Sequence, residues 1–429
     1  MTDIRHLKRL AAVQSMNGVG PLTPAAFPGN HCPMHTALGL GTRIKNVSTL
    51  VVGTAECGYY SRNLPLASPF PEREQGLHWT YVLDGREVVF GFRDGLISAV
   101  KEMDAAGAKV ILLLITCVPE LIGEDIESVR REIQPQISAR LLYIPLGNFK
   151  YGSYQPGYWQ TLLAMGKLIK KTARKTGTVN ILGRSPGEDH IPRPELIALL
   201  ARHHIPLRFI APDASIEDFA AAGGARMNLV LSPFLEPLAE WMREEHGVPF
   251  FSLHSVYDAD EIRGAYRSVG ELAAIETDIV FQEAYRQAKK LQEAAKSLFG
   301  GKCYIGANIG AIQPFPLAAY LSGLGLSPVM LNTEDFYPSD KAWKDRLVRQ
   351  NENPVLCLLL NEQADGAVIK ELGADVILGD WGGRAETAPP TAQIMDLYGY
   401  IGYERTAALL NRIVAALPRK EGDSHNGTV

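Results

Sequence analysis

Short apolar runs without polar alternation, each followed by a helical segment, recur from one end of this chain to the other. That pattern constrains the fold more than any other feature. Candidate strands are Thr49–Gly53, Lys109–Ile115, Thr178–Gly183, Leu207–Ala211 and Met227–Leu231, then Val248–Ser252, Lys302–Gly306, Pro328–Leu331, Val355–Leu360 and Asp375–Gly379. A strand that is apolar at every position is buried on both faces, so its sheet is parallel and covered by helices. Strand–helix alternation of this kind reads as several doubly wound α/β units. At 429 residues the chain exceeds one ordinary core, and the length suggests about three domains. The expected division is an N-terminal domain over 1–175, a middle Rossmann-like domain over 176–300 and a C-terminal Rossmann-like domain over 301–418. A polar, flexible tail is expected over 419–429.

The clearest helix is expected from Glu276 to Phe299, with Ile279, Ala284, Ala288, Leu291, Ala295 and Leu298 largely on one face and Gly300-Gly301 ending it. The polar, basic stretch Lys170–Gly177 marks the first boundary. A 46% hydrophobic and 21% charged composition is that of a soluble globular protein. The net charge of −4 argues against a general nucleic-acid binder, which shows a basic face. The first ten residues scatter their charges and lack an apolar signal core. The longest apolar stretch, Val110–Val118, falls short of the roughly 18 residues of a membrane span. A reducing cytoplasm is the expected location, and five cysteines are too few for a disulfide scaffold.

Three of those cysteines stand at or beyond strands and turns: Cys32 in Gly-Asn-His-Cys-Pro, Cys57 in Gly-Thr-Ala-Glu-Cys-Gly and Cys117 in Ile-Thr-Cys-Val-Pro. Ligands of parallel α/β sheets bind outside the carboxyl ends of the strands, and Cys57 and Cys117 both follow candidate strands of one sheet. The segment after Cys117 reads as a helix start, a setting that stabilises a thiolate. The glycines and prolines around Cys32 and Cys57 permit close backbone approach to a bulky group. Free cysteines are also among the most buried residue types, so from the residues alone a packed core and a metal site both stay open. Three thiolates are one short of a closed zinc or iron–sulfur set, so a cluster would be shared with another polypeptide. Cys303 and Cys357, inside apolar runs, read as structural. His31 and His35 flank Cys32 as potential donors to cluster sulfurs or as loop histidines. Gly306–Gly310 lacks the dinucleotide fingerprint and reads as a tight turn; no P-loop motif occurs. Asp380, Trp381 and Arg384 follow a late strand, either lining a pocket or packing as structure.

The order Gly-Thr-Ala-Glu-Cys57-Gly-Tyr-Tyr-Ser-Arg, then Val-Val-Phe90-Gly, then Ile-Thr-Cys117-Val-Pro-Glu-Leu-Ile-Gly-Glu-Asp-Ile resembles the component 1 superfamily of nitrogenase and nitrogenase-like reductases. The resemblance implies three Rossmann-like domains. It implies that Cys32, Cys57 and Cys117 are half of a P-cluster-like (8Fe–7S) iron–sulfur centre, shared with a homologous partner subunit, with a 4Fe–4S cluster as the alternative. It places Phe90 where an ATP-dependent iron protein docks. Asn148 stands nearest the position where a serine joins the oxidised cluster in nitrogenase's β subunit. The stretch Ala225–Pro237 has no cysteine, and no histidine occurs between His254 and His425, so the ligands of the family's active-site cofactor are missing. By resemblance the chain is then a β-type, electron-relaying subunit of an oxidoreductase, paired with an α-type catalytic subunit in an α2β2 heterotetramer. Methylthio-alkane reductase is the nearest member by likeness. A scaffold for nitrogenase cofactor assembly and a tetrapyrrole reductase subunit are the alternatives.

Overall fold

A computed structural model describes residues 4–23, 32–62, 70–147, 155–172, 175–185, 193–310, 312–382 and 388–418. The expected α/β architecture is present, with every strand pair within its sheets parallel. Contacts divide the chain into two compact units, one of Asn30–His190 with Ala201–Ser252, the other of Met1–Gly29, Ile191–Leu200 and Leu253–Val429.

The first unit begins with β1 (Ile44–Lys45), β2 (Val47–Gly53), β3 (His78–Val82), β4 (Val110–Ile115) and β5 (Arg140–Pro145). The last four form a sheet in the order β3-β2-β4-β5. Every residue of β2 and β4 is buried, and each large apolar side chain so buried contributes about 1.5–3 kcal/mol relative to exposure. That makes these two the central strands. The unit continues with β6 (Val179–Leu182), β7 (Leu207–Ile210), β8 (Ala214–Ser215), β9 (Met227–Val230) and β10 (Phe250–Ser252), of which four form a second sheet in the order β10-β9-β6-β7. β1 pairs with β8, and Arg43 Nε donates to Asp213 Oδ1 at 2.7 Å beside that pair. One apolar core serves both sheets, with Leu112 and Leu142 in the same cluster as Phe219, Val230 and Leu238. Asn180 and Asn228 face each other in register on β6 and β9, and Asn180 Nδ2 donates to Asn228 Oδ1 at 2.8 Å and to the Ala222 carbonyl at 3.0 Å. A buried amide pair satisfied in one register disfavours slippage.

The second unit carries β11 (Lys302–Ala307), β12 (Leu326–Asn332), β13 (Val355–Cys357), β14 (Val376–Gly379) and β15 (Thr391–Ala392), in the order β13-β12-β11-β14-β15. Residues near the N-terminus join this unit: Leu10 N donates to the Pro354 carbonyl and Leu356 N to the Lys8 carbonyl.

Three expectations need correction. The helix expected from Glu276 starts at Gln282 and runs to Phe299. Before it, the Glu276 carboxylate accepts from Asp278 N at 2.8 Å, and Arg263 and Arg267 hold the Asp278 carboxylate, so 278–281 winds as a turn and Ile279 lies exposed. The buried positions of this helix are Ala288, Gln292, Ala295 and Phe299. The strand expected over Val355–Leu360 stops at Cys357. The helix start after Cys117 is two helices, because Gly123 adopts φ +80° and Asp125 caps a second one. No described helix is long and apolar enough to cross a membrane.

Candidate metal centre

In the first sheet the chain steps outward from β2 to β3 on one side and from β4 to β5 on the other. The loops leaving β2 and β4 therefore diverge, and a crevice opens between them at the carboxyl edge. Cys57 and Cys117 stand on the two sides of that crevice. Cys57 lies in the first turn of α2 (Ala55–Ser61), after α1 (Pro33–Gly41) in the chain, and its amide donates to the Thr54 carbonyl at 3.1 Å. Cys32 is the N-cap residue of α1, which packs on β2 and β4. At Gly157 an added Cβ would lie 2.4 Å from the Pro33 carbonyl oxygen. Only glycine lets its helix, Gln155–Gly166, press on the start of α1.

Beyond β3 come α3 (Gly85–Phe90) and α4 (Arg93–Ala105), and beyond β4 come α5 (Cys117–Ile122) and α6 (Ile126–Ile133). Cys117 is the first residue of α5. Glu120 of the same helix accepts from the Gly147 amide, fastening α5 to the segment after β5.

All three thiols are partly buried and free of disulfides. Burial pushes the Cys32 thiol up; the Met34 amide pulls it down, the charge on Cys117 pushes it up, the His35 amide pulls it down and the charge on Cys57 pushes it up. Among the described residues no three His, Cys, Asp or Glu side chains converge to hold a single metal ion. At Gly53, the last residue of β2, an added Cβ would lie 2.2 Å from Thr116 Oγ1 and 3.1 Å from Cys57 Sγ. Only glycine lets those two side chains pack against the end of β2.

Two hydroxyls that sequence reasoning did not single out flank Cys57. Thr54 Oγ1 lies 3.7 Å from its sulfur, and Thr116 Oγ1 accepts from it at 3.6 Å. Thr116, adjacent to Cys117, was legible as a neighbour of a candidate ligand, but its contact with Cys57 depends on the β2–β4 pairing.

Phe90 is 81% exposed at the end of α3, beside Val88 and Val89. A capping box holds that helix: Asp84 Oδ1 accepts from Glu87 N at 2.8 Å and Glu87 Oε2 from Asp84 N at 3.0 Å. The Tyr81 hydroxyl also donates to Glu87. Tyr59 and Tyr60 on α2 and Leu121 on α5 are exposed too. Helices that bear or adjoin the thiols therefore show apolar surface outward, a pattern that marks contact surfaces.

His35 lies in α1 and its amide donates to the Cys32 carbonyl at 2.9 Å. His31, Asn148 and Arg384 lie outside the described residues. Trp381 is buried after β14, and Asn308 and Gly310 have φ of 38° and 64° in the turn after β11. Cys357 is fully buried in β13, and Cys303 donates to the Gly373 carbonyl from β11.

A family model described as nitrogenase component 1 type oxidoreductase matches residues 32–418. Similar curated proteins include the nitrogenase iron-molybdenum cofactor biosynthesis protein NifE of Sinorhizobium fredii, 27% identical over 92% of this chain and 83% of that protein. NifE of Clostridium pasteurianum is 24% identical over 77% of this chain and 73% of that protein. The solved structure of nitrogenase Cp1 at pH 6.5 superimposes with a TM-score of 0.67 over 94% of this chain and 96% of that one, at 19% identity, a likeness of fold. By its sequence match from Cys32 to Pro418, this chain belongs to the nitrogenase component 1 type oxidoreductase family.

Proposed function

We propose that this chain is an electron-relaying subunit of a nitrogenase-like reductase and that Cys32, Cys57 and Cys117 hold its half of an iron–sulfur cluster. The observation that carries this reading is the placement of Cys57 and Cys117 just past the adjacent central strands β2 and β4, with partly buried Cys32 at the start of a helix packed on both. Cysteine thiolates are the usual ligands of an iron–sulfur cluster. An incomplete set of three suits a centre completed by a second subunit, and a P-cluster-like body fits better than a closed four-thiolate cluster. Bound there, the cluster would store and pass single electrons. This chain's own residues hold it at a sheet edge, limit its contact with water and present Phe90 on a capped helix beside it, where an ATP-dependent iron protein would dock. The partner is an α-type subunit in an α2β2 assembly, and the lack of the cofactor ligands in this sequence supports a reading in which that partner reduces the substrate. Methylthio-alkanes are the favoured substrate class.

A second reading has its own support. The curated relatives named above are cofactor biosynthesis proteins, which favours an assembly scaffold that carries a cluster without reducing substrate. Anaerobic isolation of the whole assembly separates the two. The relay predicts about eight irons at each interface between unlike subunits, and ATP- and iron-protein-dependent reduction of methylthio-alkanes. About four irons, no turnover on thioethers, dinitrogen or tetrapyrroles, and transfer of a metal cofactor to an acceptor protein would replace it with the scaffold.

A further inference from the structure

We propose that Thr116 is a positioning residue for Cys57, a hydroxyl that changes hydrogen-bond partner when the Cys57 sulfur exchanges its proton for iron. The inference rests on the assignment of Cys57 as a ligand. Thr116 is buried at the end of β4, and the Val52 carbonyl on β2 receives two bonds from it, from the hydroxyl at 2.8 Å and from the amide at 3.1 Å. With that hydrogen committed to Val52, the hydroxyl oxygen accepts from the Cys57 thiol at 3.6 Å.

A sulfur bound to iron has released its proton to solvent and offers only lone pairs. The Thr116 hydroxyl can then turn and donate to it. The Val52 carbonyl is not orphaned by the turn, because the Thr116 amide still donates to it. Gly53 keeps the path open: a Cβ there would lie 2.2 Å from the hydroxyl oxygen and 3.1 Å from the sulfur. A donor aimed at a ligand sulfur stabilises the extra negative charge of the reduced cluster, one of the ways a protein sets cluster potential.

The test compares Thr116→Ser with Thr116→Ala, which differ only by the hydroxyl, and adds the near-isosteric Thr116→Val. The proteins are isolated anaerobically as the full assembly, and thermal melts monitor folding. Iron release to a strong chelator and the midpoint potential of the cluster are read on each. Thr116→Ser is expected to match the unaltered protein. Thr116→Ala and Thr116→Val are expected to release iron about tenfold faster, because a hydrogen bond to a charged group is lost, with the midpoint moved to lower potential. Equal release rates and potentials for the serine and alanine proteins overturn the proposal, and that comparison holds even where the valine protein does not fold. Cys57→Ala is run alongside. Full iron retention in that protein overturns the ligand assignment and the Thr116 role with it, whereas iron loss there with no difference between serine and alanine overturns the Thr116 role alone.

Discussion

Cys57 and Cys357 are the same residue in opposite settings. Cys57 follows a central strand of the first sheet, partly exposed, with two hydroxyls against its sulfur and a glycine that lets it pack on the strand end. Cys357 is the last residue of a strand in the third sheet, has no exposure, and sits among Leu7, Met330, Leu360 and Ile369. Burial, then the charge on Asp365, pushes its thiol far above the ordinary range. The contrast teaches that the turn beyond a strand end, not the residue type, decides whether a thiol can serve a metal. Loops that diverge at a winding reversal leave room for a ligand, and a packed strand does not. The unit around Cys357 also buries a carboxyl. Glu195 Oε1 accepts from the Tyr266 hydroxyl at 3.0 Å and the Tyr403 amide at 3.1 Å, bonds that lie within the protein.

The largest expected effect breaks the comparison outright. Cys57→Ala should remove nearly all iron from the anaerobically isolated assembly while Cys357→Ala leaves the iron-to-protein ratio unchanged, and metal analysis reads both. Next in size is a pH effect confined to the other unit. Burial, partly offset by the Tyr403 amide and the Tyr266 hydroxyl, pushes Glu195 up to about 7. The folded state then holds the proton more tightly than the unfolded one, so stability falls as pH rises from about 4.5 to about 7 and stays level above. The full loss amounts to up to about 3 kcal/mol. Glu195→Gln keeps an oxygen acceptor for both donors and should flatten this part of the denaturation profile. Asp335, also pushed to about 7 by burial, keeps its own slope, so the difference between the two proteins is the quantity to read.

A smaller effect is expected on the exposed side of the metal centre. Phe90→Ala should slow electron delivery from the iron protein roughly tenfold, as loss of an apolar interface anchor does, and leave stability within about 0.5 kcal/mol. Stopped-flow reduction and chemical denaturation together check it. The smallest is Cys357→Ala, expected to cost about 1 kcal/mol in denaturation and nothing in potential.

Much of the fold was legible because the central strands are apolar at every position: Thr49–Gly53, Lys109–Ile115 and Lys302–Gly306 match observed strands within a residue or two. The two edge strands of the first sheet were not. β3 reads His-Trp-Thr-Tyr-Val with two positions half-buried and three exposed, and β5 begins with an exposed arginine and ends in proline. Neither is a continuous apolar run. Missing them concealed the winding reversal, so the sequence placed Cys57 and Cys117 on one edge without revealing the crevice between them. Cys32 was singled out by its Gly-Asn-His-Cys-Pro setting, but no strand precedes it, so its place relative to the first sheet was not legible. Phe90 exposed on a helix was legible only through family resemblance, because its neighbours Val88 and Val89 suggest a core. The role of Thr116 was not legible, since its contacts lie 59 and 64 residues away along the chain.

The central claim is that three thiols of this chain bind iron together. Anomalous diffraction at the iron edge, from crystals of the anaerobically isolated assembly, tests it most directly. Iron within bonding distance of the sulfurs of Cys32, Cys57 and Cys117 is the predicted result. Iron absent from that crevice, with the three sulfurs unligated, would contradict it.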